Sequence, residues 1–245
     1  GFMTAISKLL PEAERFGLTL PTDLGGHRMI FDSSKLKGFL ELDVALLVTE
    51  YATRSIPENH PEKSMFSNKR PFDSEKFDIV VCDGNALRTH ERSEWREYNE
   101  KNRLNISQII LSMQRINNYG TIIILLHKVD SWDTINIIYK FSKFSSIRFF
   151  KPEKKHCTRS SFYLIASKIN MESNEAKKAL HDWRKSWWQI NFGGQDGTGR
   201  GLQHEVGYVQ DVLTKFGKEF IKMAKPIWKI QADGLSRTDF AGVRK

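Results

Sequence analysis

The sequence predicts an α/β fold, and a few observations carry that expectation. Two short β-branched apolar runs, 77–84 (FDIVVCDG) and 121–130 (TIIILLHKVD), each stop at an ionisable residue, Asp83 in the first and Lys128 in the second. A strand buried on both faces reads as a continuous apolar run of this kind. One amphipathic helix lies between them, so the pair reads as a βαβ unit with parallel strands. Farther on, the apolar runs 147–150 and 161–167 are joined by a loop with no crossover helix, which predicts an antiparallel hairpin at the sheet edge. In open parallel sheets, ligands sit off the carboxyl ends of the strands. Asp83 and Lys128 are therefore expected to meet at the lip of one pocket.

A chain of 245 residues holds one large α/β domain, or a smaller one with an appendage. Its 40% hydrophobic and 27% charged residues are those of a folded globular protein. No apolar run approaches the ~20 residues of a membrane span, so no membrane partner is expected. The opening GFMTAISKLL lacks the basic lead and cleavage site of a secretory signal. Cys82 and Cys157 make neither a disulfide framework nor a zinc site, which points to an intracellular protein of the cytoplasm or nucleus. The net charge of +9 suits polyanionic partners, although where the charge sits matters more than its sum.

In order along the chain, Met3, Ile6, Leu10 and Ala13 share one helix face. Gly1 stands directly before that helix with no strand ahead of it. The chain is thus expected to open inside a glycine turn whose preceding strand is missing, the alternative being a start at Met3. Residues 15–21 (RFGLTLP) read as a short strand followed by a Gly25-Gly26-His27 turn. Residues 37–48 (KGFLELDVALLV) read as a strand that ends near Asp43 and passes into a helical turn. The polar stretch 51–76, with three prolines (Pro57, Pro61 and Pro71), is expected as a lid or as disorder. The helix predicted over 95–118 sets Ile106, Ile109, Ile110 and Met113 on one face, with Gly120 as its stop. Ser131 is the expected cap of a helix running to about Phe144, with Ile135, Ile138 and Phe141 or Ser142 turned by helical steps. From residue 170 the pattern turns helical: Ala176, Leu180, Trp183, Trp187 and Ile190 form one stripe, and Val209, Val212, Phe216, Phe220 and Met223 another. The expected division is a sheet domain, 1–169, and a helical C-terminal extension, 170–245, that packs on the sheet or serves a protein partner or self-association.

This order of elements, together with VVCDG, LLHKVD, GLTLPTDLGGH and the Lys151-Pro152 loop before SFYLIAS, resembles the FtsJ-like ribose 2′-O-methyltransferases. GLTLPTDLGGH is most similar to fungal members, and the likeness covers about 1–169. It implies a Rossmann-like methyltransferase sheet closed by a terminal antiparallel strand, S-adenosylmethionine as cofactor and RNA as substrate. The family's catalytic set is Lys-Asp-Lys-Glu. Asp83 matches its aspartate and Lys128 its central lysine, while the first lysine falls ahead of the glycine turn. The glutamate position, two residues before Tyr163, holds Ser161. Gly1 and Phe2 resemble the second half of the family's Pro-Gly-Gly-aromatic cofactor loop, and Asp43 fits the acidic residue that faces the adenine. Leu18 stands where many members place another acidic residue. The resemblance thus implies Asp83 and Lys128 as catalytic residues, and Gly1, Phe2, Asp43 and Asp83 as cofactor contacts.

Moving a methyl group from a sulfonium to a ribose hydroxyl needs the hydroxyl in line with the methyl and a base for its proton. Free lysine titrates near ~10.4, so a lysine base works only where its surroundings keep it neutral part of the time. The expected RNA contacts are Lys151, Lys154, Lys155 and Arg159, with Lys140, Lys143 and Arg148 nearby and Glu153 the one carboxylate among them. Trp188, off the tryptophan stripe, is the candidate for base stacking. The run GGQDGTGRG (193–201) follows a helix and lacks a Gly-Lys-Ser/Thr ending, so it reads as a linker. No histidine has metal-ligand spacing with the cysteines, so no metal is expected, and Cys82 reads as packing. Three functions compete: the methyltransferase, a degenerate relative that acts as an RNA-binding or interaction module, and a nicotinamide-dependent dehydrogenase. The last needs a G-x-G-x-x-G turn after a first strand and an acidic residue at the end of the second, neither of which is visible, and Leu18 argues against it.

Overall fold

In the computed structural model the described residues are 2–86, 93–194, 197–200 and 205–238. Their elements run α1 (Phe2–Leu9), β1 (Phe16–Thr19), β2 (Gly38–Glu41), α2 (Val48–Tyr51), β3 (Phe77–Cys82), α3 (Glu94–Glu97) and α4 (Glu100–Arg115). They continue with β4 (Ile116–His127), α5 (Trp132–Ser142), β5 (Ser146–Phe150), β6 (Ser161–Ser167), α6 (Asn174–Phe192) and α7 (Val206–Leu235). The fold is mixed α/β. β1 and β2 pair in parallel, and a second sheet has the order β3-β4-β6-β5. Within it β3 and β4 are parallel, and β6 runs antiparallel to both of its neighbours. No helix among the described residues is long and apolar enough to cross a membrane.

The chain divides into two compact units. The first takes Gly1–Ser74, Gly84–Leu111 and Arg184–Arg200, and the second Glu75–Asp83, Ser112–Trp183 and Gly201–Lys245. The segment expected as a C-terminal extension, 170–245, forms α6 and α7 and is shared between them.

In the first unit, Asp43 closes β2 by accepting the Ala45 N–H at 2.9 Å, which starts a 3-10 turn over Val44–Leu46. That turn is buried. The Tyr51 hydroxyl donates to Val44 O at 2.8 Å, and the Trp187 indole donates to Ala45 O at 3.2 Å, so both free carbonyls of the turn are answered. The stretch 51–76, expected as lid or disorder, is anchored at a few buried residues, Tyr51, His60, Phe66 and Pro71, with much of the rest exposed. Its His60 and Phe66 are buried with Trp95 and Phe192, and His60 meets their rings at 5.4, 4.8 and 5.1 Å in the order Phe66, Trp95, Phe192. These aromatics supply the apolar area that a polar, proline-bearing composition hides.

In the second unit, β4 from Gly120 onward and β6 alternate strictly. Ile122, Ile124, Leu126, Phe162, Leu164 and Ala166 are fully buried, while the residues between them are half-buried. α5, with Ile135, Ile138 and Phe141 inward, packs near β5 and β6, and Phe141 meets Trp183 at 5.1 Å. α7 runs thirty residues through Pro226 and lays Phe216 and Phe220 on this unit, against Tyr139 and Phe149. The helix expected to stop at Gly120 stops at Arg115, and Gly120 lies inside β4. Tyr119 (φ 65°) makes the turn, and Gly120 is needed for contact, since a Cβ there would lie 2.8 Å from the Ile116 side chain.

Candidate functional site

The carboxyl ends of β3 and β4 carry the site residues of the second unit. The register pairs Cys82 with Ile124, so Asp83 falls level with Leu125, and Leu125 pairs in turn with Tyr163 on β6. Asp83 and Tyr163 therefore sit either side of one β4 position, and the Tyr163 hydroxyl donates to Asp83 Oδ1 at 3.0 Å. Burial raises the Asp83 carboxyl above its ordinary range, while the Tyr163 hydrogen bond and the charge of His156 pull it back. Burial and the adjacent carboxylate raise the Tyr163 phenol, which keeps it a neutral donor.

Lys128 follows β4 by one residue and is exposed, at φ 48°. It lies three residues beyond the level of Asp83, about 10 Å along the strand direction at ~3.3 Å per residue. The structure thus brings acid and amine to the same end of one sheet. Among the described residues no hydrogen bond or ion pair joins them, and the carboxylate is held by the phenol instead. The backbone fixes the lysine's place. Its N–H donates to Ser160 O at 3.1 Å, its C=O accepts from the Ser131 N–H at 2.8 Å, and Thr134 Oγ1 donates to His127 O at 2.7 Å. Ser161, where the resemblance leads one to expect a glutamate, pairs with His127 and so lies beside the strand that delivers Lys128.

Lys151 corrects an expectation. It was a candidate RNA contact, but it is only 3% exposed, and its ammonium donates to Arg159 O at 2.6 Å, Ser161 O at 2.8 Å and His156 O at 3.4 Å. Burial lowers its pKa, and three carbonyl partners use its three donors. The sequence shows a basic run but not which cation closes the loop. Lys154, Lys155 and Arg159 stand exposed on that loop, together with His156 (φ 59°). Lys140 is paired with Asp182, and Lys143 lies over the Tyr139 ring at 4.3 Å.

The other expected cofactor contacts belong to the first unit. Asp43 is committed: Oδ1 takes the Ala45 N–H, and Oδ2 takes the Arg96 guanidinium at 2.9 Å. Arg96 also pairs with Glu100 at 2.9 Å, and Glu100 with Arg103, whose guanidinium is fully buried. Arg103 donates further to Asn191 Oδ1 at 2.8 Å and stacks over Trp95 at 4.7 Å. Both carboxylate oxygens of Asp43 are thus engaged by this protein, which fits an adenine contact poorly. Phe2 opens α1 and is half-buried, whereas Gly1 lies outside the described residues, as do parts of 193–201. Trp188 is half-buried under the Arg54 guanidinium, 5.0 Å from its ring centre.

Burial pushes the Cys82 thiol up to about 12, so it is no nucleophile near neutral pH. Among the described residues no three His, Cys, Asp or Glu side chains converge as metal ligands would. Tyr163 and His156 are the site residues that sequence reasoning did not assign. The alternation of 161–167 put Tyr163 on the face of Ser161, but only the pairing register sets it against Asp83. No family model matches the chain, and no curated protein matches it either.

Proposed function

We propose that this chain is an RNA ribose 2′-O-methyltransferase domain of the FtsJ-like kind, using S-adenosylmethionine. The observation that carries the reading is the placement of Asp83 and Lys128 just past the ends of two neighbouring parallel strands, with the antiparallel β6 beside them. When bound, the cofactor supplies the sulfonium methyl group. Asp83 is the fitting contact for it, being exposed at a strand end with its Oδ2 not used by Tyr163. Lys128, held by its backbone at the open end of β4, would take the proton of the ribose hydroxyl on Nζ from its neutral form, which a neighbouring cationic sulfonium favours. Tyr163 keeps the carboxylate in place, and Lys154, Lys155 and Arg159 attract the RNA backbone. An RNA substrate assigns the protein to the interior of the cell, cytoplasm or nucleus.

The reading is tested by transfer of labelled methyl from S-adenosylmethionine to RNA, with calorimetry of S-adenosylhomocysteine alongside. Lys128→Ala is expected to lower transfer by about a hundredfold or more, with the melting temperature unchanged because the side chain is exposed. Unaltered transfer by that variant would remove the mechanism. A second reading, a related fold that binds RNA without turnover, is favoured by two features: the Asp43 carboxylate is spent on Arg96, and Ser161 replaces the carboxylate that would orient the lysine. Absence of cofactor heat at high protein concentration would select it.

A further inference from the structure

α7 commits one face to the second unit and leaves another unanswered. Val212, Phe216, Phe220, Ala224 and Ile227 are buried, at steps of four, four, four and three. Lys218, Lys222, Lys225 and Lys229 follow steps of four, three and four, which at 100° per residue sets them on roughly the opposite side. All four are exposed. Lys215, one turn earlier, is paired with Asp211 at 2.7 Å, but among the described residues none of these four is in an ion pair. Between the buried face and the lysine row run Leu213, Ile221 and Trp228, 42%, 46% and 36% exposed. Like charges one turn apart weaken a helix, and among the described residues the nearby acids Glu219 and Asp233 form no ion pair with the row.

We propose that this face of α7 binds the phosphodiester backbone of single-stranded RNA, with Trp228 available to stack on a base. The inference rests on the RNA reading above and names a holding surface away from Asp83. The ammonium groups repeat once per turn, about 5.4 Å, over about 16 Å of helix. A polyanion with evenly spaced single charges answers all four together, and a stacked base uses the indole. A second copy of the chain meeting this face about a two-fold axis would set lysines against lysines. A lipid surface would take the wider apolar face of an interfacial helix, and in α7 that face is spent on Tyr139 and Phe149. On the buried side of α7 its last turn packs on the loop that carries Lys154, Lys155 and Arg159: a Cβ on Gly234 would lie 3.2 Å from that of Cys157. That loop leads directly into Ser161 and Tyr163.

The test is fluorescence anisotropy of a labelled, unstructured oligoribonucleotide titrated across a salt series. Substituting Lys218, Lys222, Lys225 and Lys229 by Gln is expected to weaken binding at low salt at least tenfold. The slope of log affinity against log salt should fall by about 2 to 3, from ~0.7 per phosphate contact on a single strand. Trp228 emission should be quenched by RNA in the wild-type protein. Far-UV circular dichroism monitors α7, and the pair Lys222→Gln with Lys229→Gln, expected to lose about half of that slope change, serves if the fourfold variant misfolds. An unchanged affinity and slope in the variants would overturn the proposal, as would capture of phosphatidylserine vesicles through these lysines without RNA binding. Calorimetry with S-adenosylhomocysteine on the same samples separates the two readings. Lysine-dependent RNA binding without cofactor heat supports this surface while removing the methyltransferase, and cofactor heat with lysine-independent RNA binding overturns this surface alone.

Discussion

Asp43 follows β2 and Asp83 follows β3, and the two carboxylates are put to opposite uses. Asp43 sits inside a balanced set of two arginines and two acids, Arg96 and Arg103 with Asp43 and Glu100, and both of its oxygens are engaged. Asp83 is exposed at its strand end and faces a neutral phenol, and partial desolvation there outweighs the phenol's hydrogen bond and the charge of His156, which leaves its carboxyl raised. A strand-end position is therefore not enough to make a ligand-binding acid. What decides is the neighbour: a buried guanidinium ties the carboxylate to the fold, while a phenol orients it and leaves an acceptor open.

The contrast breaks most visibly at Arg103. Arg103→Ala takes the donor from Asn191 Oδ1 and leaves Glu100 to Arg96 alone, and removing one partner of a buried pair typically costs about 3–5 kcal/mol. Denaturant unfolding followed by tryptophan emission is expected to show a loss of that order. A loss below about 1 kcal/mol would mean that the network behaves like a surface pair, and the contrast would collapse.

The paired substitutions Asp43→Asn and Asp83→Asn test it directly. Asp43→Asn keeps an oxygen for Ala45 but loses the charge on Arg96, which retains Glu100, and a charge-assisted bond is worth about 1.5–3 kcal/mol. Asp83→Asn should stay within about 0.5 kcal/mol, as exposed positions do. Its sign carries information. A carboxyl raised in the folded state contributes stability at low pH that is lost as pH rises through the folded value, so Asp83→Asn should flatten that decline. Equal losses for the two variants would refute the distinction.

How much of this was legible in the sequence differs between the two acids. The runs ending at Asp83 and Lys128 announce buried parallel strands, and the observed pairing of β3 with β4 has the expected direction. The antiparallel edge was readable too, because a loop without a helix cannot cross over. The fate of Asp43 was not readable, since its partner Arg96 is 53 residues away and looks like any surface arginine at the start of a helix. Lys151 was misleading for the same reason: three carbonyls of one loop, not the local charge, decide where its ammonium goes. Tyr163 was hidden by register, because period-two alternation gives the face but not the level along the neighbouring strand.

His60 sharpens the picture of the first unit as a structural core. Its Nδ1 accepts the Glu62 N–H at 3.2 Å, and burial among aromatic rings lowers its pKa below the ordinary 6.5, outweighing the pull of the Asn191 carbonyl. A depressed histidine pKa means that the unfolded chain binds the proton first. Stability is thus expected to fall as pH drops through 6.5 toward the folded value, by at most about 1.4 kcal/mol per pH unit for one proton. His60→Gln should flatten that limb in a pH series of denaturant midpoints. An unchanged limb would move the titration to another group.

The effect closest to the chemistry is expected from Tyr163→Phe. The ring keeps its packing, so stability should change by no more than about 1 kcal/mol, the net worth of one hydrogen bond. The bond from the phenol is the larger of the two influences that lower the Asp83 carboxyl against its burial, ahead of the charge of His156. Removing it should raise the carboxyl further, and carbon-detected NMR titration of the aspartate side chain would read the rise. Under the methyltransferase reading, the acid limb of the pH–rate profile should move the same way, with kcat falling more than KM, because a carboxylate that protonates earlier is lost as an acceptor over a wider pH range. A carboxyl that titrates unchanged in Tyr163→Phe would show that the phenol is a packing group at this strand end, and Asp83 would then be oriented by His156 and the loop that Lys151 holds.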